Sequence, residues 1–228
     1  MPVSFARPRM VLIDLDGTLV DSVPDLAYCV DAMMRELGLP ERGEPAVRQW
    51  VGNGVERLVQ RALINAVDGE ADPAEFERAL PVFMRLYREN TSGRSRLYPG
   101  VREGLAYLKR AGFRLACVTN KAEQFTIPLL QDKDILDEFE FVISGDALPV
   151  RKPDPAPLLL AAERMGVTPA ESLMVGDSRS DVKAARAAGF AIVCVSYGYN
   201  HGEDIRNYGP DAVIDRLDQL QGLLEEAA

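Results

Sequence analysis

The strongest constraint on the fold is a set of short apolar runs, each followed at once by polar or acidic residues. Residues 10–15, 114–118, 139–144, 173–175 and 191–195 are rich in Val, Ile, Leu, Phe and Cys, and 212–214 is a weaker run of the same kind. Each is short enough for a strand buried on both faces. Between them lie helical patterns at 101–110, 155–165 and 182–188, which stop at Gly112, Gly166 and Gly189. Glycine is the usual residue just past a helix end. Asp154 reads as an N-cap, with Pro155 suited to the first helical position. This alternation predicts an α/β chain: a Rossmann-like parallel sheet core with helices on both faces.

One region departs from the alternation. From about 23 to 98 no good strand is evident, and 23–37, 55–67 and 73–89 read as amphipathic helices. The stretch falls between the first two strands, so it is expected to be an inserted helical cap. The domain expectation is a core of residues 1–20 and 99–228 and a cap of 21–98, with hinges near 19–23 and 97–100. A last helix is expected at 218–226.

Composition limits the partners. The 228 residues are 47% hydrophobic, which suits a packed core, and the formal net charge of −9 argues against a nucleic-acid partner. No uncharged apolar run reaches the roughly 18 residues of a membrane span, and Asp14 interrupts the N-terminal run, so no membrane partner and a cytoplasmic location are expected. Cys29, Cys117 and Cys194 show no metal-like pairing and read as reduced structural residues. His201 is the only histidine, and no G-x-S-x-G elbow supports a serine nucleophile. Oligomeric state is left open.

The chemistry-bearing residues sit where strands end. Asp14, Asp16, Gly17 and Thr18 close the first strand, Thr119, Asn120 and Lys121 the second, and Asp177 and Asp181 follow the run at 173–175. Lys152 precedes the helix leading into that last run. Ligands of open α/β sheets bind outside the carboxyl ends of strands, so these clusters can converge. Asp14 and Asp16 are two apart and share a side of the strand. Asp14, Asp16 and Asp177 concentrate negative charge that calls for a cation, and hard oxygen ligands without Cys or His favour Mg²⁺. Thr119, Asn120 and Lys152 supply donors for a phosphate group. Taken singly, Thr119 and Asn120 read equally well as helix N-caps, Asp177 also reads as an N-cap, and Lys152 reads better as a solvated lysine.

The ordered set resembles the haloacid dehalogenase superfamily: D-x-D-G-T at 14–18, Thr119, Lys152 and G-D-x-x-x-D at 176–181. The resemblance implies a Mg²⁺-dependent phosphomonoester hydrolase. Asp14 would be the nucleophile, and Asp16 the acid and then the base. Asp14, the Asp16 carbonyl and Asp177 would hold the metal. Thr119 and Lys152 would bind the phosphate, with Asn120 added from its position, and Asp181 would orient Lys152 or a metal-bound water. Asp16 disfavours dehalogenase chemistry, and the absence of any lysine from 19 to 97 disfavours a phosphonate-cleaving relative.

Further stretches at 21–25, 50–54, 98–101, 152–155 and 197–200 resemble bacterial phosphoglycolate phosphatases. The implied substrate is a small phosphate ester, 2-phosphoglycolate. Asn53, in the Gly52-Asn53-Gly54 turn, and Arg57 are the cap candidates for its carboxylate; Trp50 reads as cap packing. The alternatives are a sister phosphatase for a sugar phosphate or pyrophosphate, a phosphomutase with the same cap type, and a non-catalytic phospholigand sensor.

Overall fold

The computed structural model describes residues 7–226. A six-stranded sheet runs in the order β5-β4-β1-β6-β7-β8. The strands are β1 Met10–Ile13, β4 Arg114–Val118, β5 Phe141–Ile143, β6 Ser172–Gly176, β7 Ala191–Val195 and β8 Ala212–Ile214. All their pairings are parallel. The chain builds outward from β1 through β4 to β5, then returns to the other side of β1 with β6. The carboxyl end of β1 is therefore the point where strand order reverses, and Asp14 is its next residue.

The apolar runs form strands because both faces are covered. Val11 and Ile13 pack with Leu105, Leu108 and Leu129 on one face. Met10 and Leu12 pack with Leu158, Ala161 and Val182 on the other. The helices concerned are α5 Val101–Arg110, α6 Glu123–Asp132, α7 Ala156–Met165 and α8 Arg179–Ala188, with α9 Leu220–Glu226 closing the chain. The α7 helix begins one residue later than expected, with Pro155 at the N-cap, and Asp154 accepts from the Ala156 amide at 2.9 Å just ahead of it. The α8 start lies three residues earlier than the apolar pattern suggests. Ser178 and Asp181 form a capping box there, which recruits a polar first turn.

Between β1 and α5 lie α1 Val23–Glu36, α2 Glu44–Arg48, α3 Val55–Ile64 and α4 Pro73–Glu89. They share an apolar core of their own, including Val30, Met33, Trp50, Val59 and Phe83, into which Phe125 and Tyr199 reach from the sheet body. In α1, Val23, Leu26, Ala27, Val30, Met33 and Met34 are buried, the i, i+3, i+4, i+7 stripe of an amphipathic helix.

The expectation of no strand in this region fails at its end. Residues Val20–Asp21 (β2) pair antiparallel with Arg96–Leu97 (β3) where the chain leaves and re-enters the sheet body. Two residues per strand are too few to show a period of two. The short α2 and the helix α6 also escaped the sequence pattern. Cys29, Cys117 and Cys194 are free and buried. Among the described residues no helix is long and apolar enough to cross a membrane.

Candidate active site

One pocket, about 630 Å³ with its mouth included, opens at the carboxyl end of β1 beneath the helical insertion. Its sheet-side wall carries Asp14, Asp16, Thr119, Asn120, Lys121, Lys152, Asp177, Ser178, Ser180, Asp181 and Tyr199. Its insertion-side wall is made by Leu26, Val51, Gly52, Gly54, Val55, Leu58 and Tyr87. Loops separated by more than a hundred residues meet here because parallel strands deliver all their carboxyl ends to one edge.

Lys152 organises the centre. Its side chain is 2% exposed, with Nζ 2.9 Å from Asp14 Oδ1 and 2.7 Å from Asp181 Oδ1. Nζ also donates to the Val118 carbonyl at 2.7 Å. Burial alone would lower the lysine pKa, but the Asp14 and Asp181 carboxylates outweigh it and hold the ammonium above its usual range. The Asp14 contact is an ion pair without hydrogen-bond alignment, so Asp14 Oδ1 is buried with no hydrogen-bond partner. Burial pushes the Asp14 carboxyl up to about 7, against the charge of Lys152 and with that of Asp181. Asp177 is raised as well, first by burial and then by Asp181 and Asp14.

Asp14, Asp177 and Asp181 bring carboxylate oxygens within 4.8 Å of one another. Two of them are engaged on every oxygen. Asp181 accepts from Lys152 on Oδ1 and from Ser178 Oγ at 2.7 Å on Oδ2. Asp177 accepts from Thr18 Oγ1 at 3.2 Å and from the Tyr199 amide. The loops close in to make this possible: a Cβ at Gly17, whose φ is +87°, would stand 2.2 Å from Asp177 Oδ2, and one at Gly198 would stand 2.1 Å from Asp177 Cβ. The Asp14 carboxylate, paired with Lys152 and beside Asp177 in an all-oxygen donor set, fits a hard divalent cation.

The Asp16 carboxylate stands outside that group. Lys121 Nζ reaches both its oxygens, at 3.0 and 3.1 Å, and Ser22 Oγ donates to one. Lys121 is itself buried. Burial would lower its pKa, and the neighbouring Asp16 more than reverses this. Lys121 was placed at the second strand end from sequence but given no role, and Tyr87 was not singled out. For Lys121 a signal existed, since it lies two residues past Thr119 at the same strand end. Thr119 is buried in the pocket wall, its Oγ1 accepting from the Lys121 amide at 3.2 Å.

Three sequence expectations need correction. Asn120 does not present its amide to the pocket as a phosphate donor. Both Nδ2 hydrogens are committed, to the Lys152 carbonyl at 2.9 Å and to the Gly52 carbonyl at 3.2 Å. It is a strut between the Lys152 loop and the insertion. Asn53 points its Oδ1 at Arg61 Nη1, 3.0 Å away, and does not line the pocket. Arg57 donates to the carbonyls of Gly69 and Val67 and is also outside the pocket wall. The cause is common: the chain after α3 folds back, and Arg57 and Arg61, one helical turn apart, both reach its carbonyls. Arg61 is buried on the Trp50 and Val67 carbonyls. Burial, with Arg57 adding repulsion, lowers its pKa to about 10.

A family profile described as haloacid dehalogenase-like hydrolase matches residues 8–189. The chain belongs to that family. Among the relatives of this hydrolase, a phosphoglycolate phosphatase of Nitrosococcus oceani is 62% identical over 97% of the chain and 99% of its own length. One from Nitrosospira multiformis is 48% identical over 96% of the chain and 97% of its own length. A crystal structure from Haemophilus somnus, described as a predicted phosphoglycolate phosphatase, superposes with a TM-score of 0.90 at 38% identity, covering 96% of this hydrolase and 98% of that chain.

Proposed function

We propose that this hydrolase is a Mg²⁺-dependent phosphomonoester hydrolase that works through an aspartyl-phosphate on Asp14, with 2-phosphoglycolate as its substrate. The observation that carries the reading is the meeting of the buried Asp14 carboxylate, the Lys152 ammonium and the Asp16 carboxylate in one pocket. The names of the relatives supply the substrate.

In this reading Asp14 attacks phosphorus and the ester P–O bond breaks. Asp16 gives a proton to the leaving oxygen, which departs as glycolate. Asp16 then takes a proton from water as that water attacks the aspartyl-phosphate, releasing phosphate and restoring Asp14. Lys121 Nζ, at 3.0 and 3.1 Å from the two Asp16 oxygens, holds that carboxylate in place. Lys152 and Thr119 hold the transferring group, and Asp181 keeps Lys152 aimed. Mg²⁺, held by Asp14, Asp177 and the Asp16 carbonyl, would offset the repulsion between an anionic phosphate and an anionic nucleophile.

The test is a panel of phosphate esters scored for free phosphate, with and without Mg²⁺. Selective, Mg²⁺-dependent release from 2-phosphoglycolate is expected. A sugar phosphate preferred over it would reassign the substrate. Phosphate moved between two carbons without release would make the protein a mutase, and ligand binding without turnover a sensor.

A further inference from the structure

The insertion-side wall of the pocket contains a single polar side chain, Tyr87 on α4; its neighbours Leu26, Val51, Val55 and Leu58 are apolar. Tyr87 is fully buried, its ring packed on Phe83 at 5.5 Å and on Phe125 at 4.4 Å between centroids. Among the described residues its hydroxyl proton finds no acceptor, while the Lys121 ammonium lies on the oxygen side as a donor. The nearest charged group is Lys121, whose Nζ stands 5.1 Å from the ring centroid. An ammonium only donates, so Lys121 cannot accept the phenol proton at any approach. The Asp16 oxygens are already taken by Lys121 and Ser22. A buried donor without an acceptor is costly, and such groups are kept where a ligand completes them.

The place of this donor defines what it can meet. Lys121 bridges the space between Asp16, the group next to the leaving oxygen, and the Tyr87 ring. Because Lys121 touches both, a substituent of the leaving group placed against Lys121 also meets the Tyr87 ring. A hydroxyl donor backed by a positive charge favours an anionic acceptor over a neutral one.

We propose that the Tyr87 hydroxyl donates to the carboxylate of the leaving group, with Lys121 as the charge behind it, and that Tyr87 sets the preference for carboxylate-bearing esters. This rests on the phosphatase reading above and replaces Asn53 and Arg57 as the carboxylate contacts.

The experiment compares wild type and Tyr87→Phe on 2-phosphoglycolate and on ethyl phosphate, which has the same chain length with a methyl in place of the carboxylate. Phe keeps the ring packing and removes only the hydroxyl, so the variant folds, and its Tm checks this. The expected result is a fall of about tenfold or more in the kcat/KM ratio of the two esters, carried mainly by KM for phosphoglycolate. Equal losses on both esters, or no loss on either, overturn the proposal. If wild type prefers another carboxylate-bearing ester, and Tyr87→Phe loses that preference, the proposal stands and the phosphoglycolate reading falls. If wild type shows no preference for any carboxylate-bearing ester over its carboxylate-free counterpart, both fall together.

Discussion

The two walls of the pocket are built on opposite principles. The sheet-side wall is dense with charge, and almost every ionised atom in it has a partner: Lys152 on Asp14 and Asp181, Lys121 on Asp16, Asp177 on Thr18 and Tyr199. The insertion-side wall is apolar apart from the Tyr87 hydroxyl and the backbone around Gly52 and Gly54. A wall of mutually oriented charges can hold reacting atoms in place at little reorganisation cost. A wall of aliphatic side chains excludes water and sets shape, and it can change without disturbing the charges. The contrast assigns rate to one side and selection to the other.

Substitutions can break that division, and the largest effect belongs to the charged wall. Asp14→Asn is expected to lower phosphate release by about 10⁴-fold or more while the Tm is retained. Substantial residual turnover would remove the covalent scheme. Asp16→Asn should cost about 10² to 10⁴-fold in kcat; in single-turnover experiments both formation and hydrolysis of the intermediate should slow. Lys152→Ala leaves the Asp14 and Asp181 carboxylates buried without their cation, so about 3–5 kcal/mol of stability should go with the activity. Denaturant unfolding measures this, and an unchanged midpoint would mean that the carboxylates find another partner.

The insertion side should answer differently. Val55→Ala removes part of a half-buried side chain and is expected to cost about 1 kcal/mol, with KM changed a few-fold and kcat retained. A kcat loss as large as that of Asp16→Asn would erase the distinction between the walls. The smallest effect concerns a contact joining the two bodies, where His201 Nδ1 meets the Gln49 carbonyl at 2.7 Å. Burial lowers the His201 pKa below 6.5, with Arg61 and Arg179 adding repulsion against Glu203 and the Gln49 carbonyl. The unfolded state therefore takes the proton first. Stability from this group is present above pH 6.5 and is lost as pH falls toward the lowered folded value. His201→Asn, which tolerates the positive φ at this position, should flatten the pH dependence of Tm between about pH 7.5 and 5.5.

The charged wall was legible in the sequence for a physical reason. A strand buried on both faces must be apolar, and the first polar residue after it stands at the sheet edge, so Asp14, Thr119 and Asp177 could be placed before any coordinates. The same rule failed for Asn120, because strand-end position says nothing about where a side chain's donors go. Asn53 and Arg57 failed for a different reason. Arg57 donates to carbonyls of a returning loop, Asn53 accepts from Arg61, which reaches the same loop, and no periodicity encodes that loop's path. Tyr87 was invisible because its spacing in α4 is that of an ordinary core residue. Only the missing acceptor sets it apart, and that is a property of three-dimensional surroundings.

Tyr199 carries one consequence further. Its amide binds Asp177, while its hydroxyl accepts from the Val23 amide at 3.3 Å and donates to Asp21 in β2. The residue that steadies the Asp177 carboxylate is thus also pinned to the doorway of the helical insertion. Evolution cannot adjust the entry to the insertion and the seating of Asp177 independently, and a change at position 199 must be negotiated by both at once.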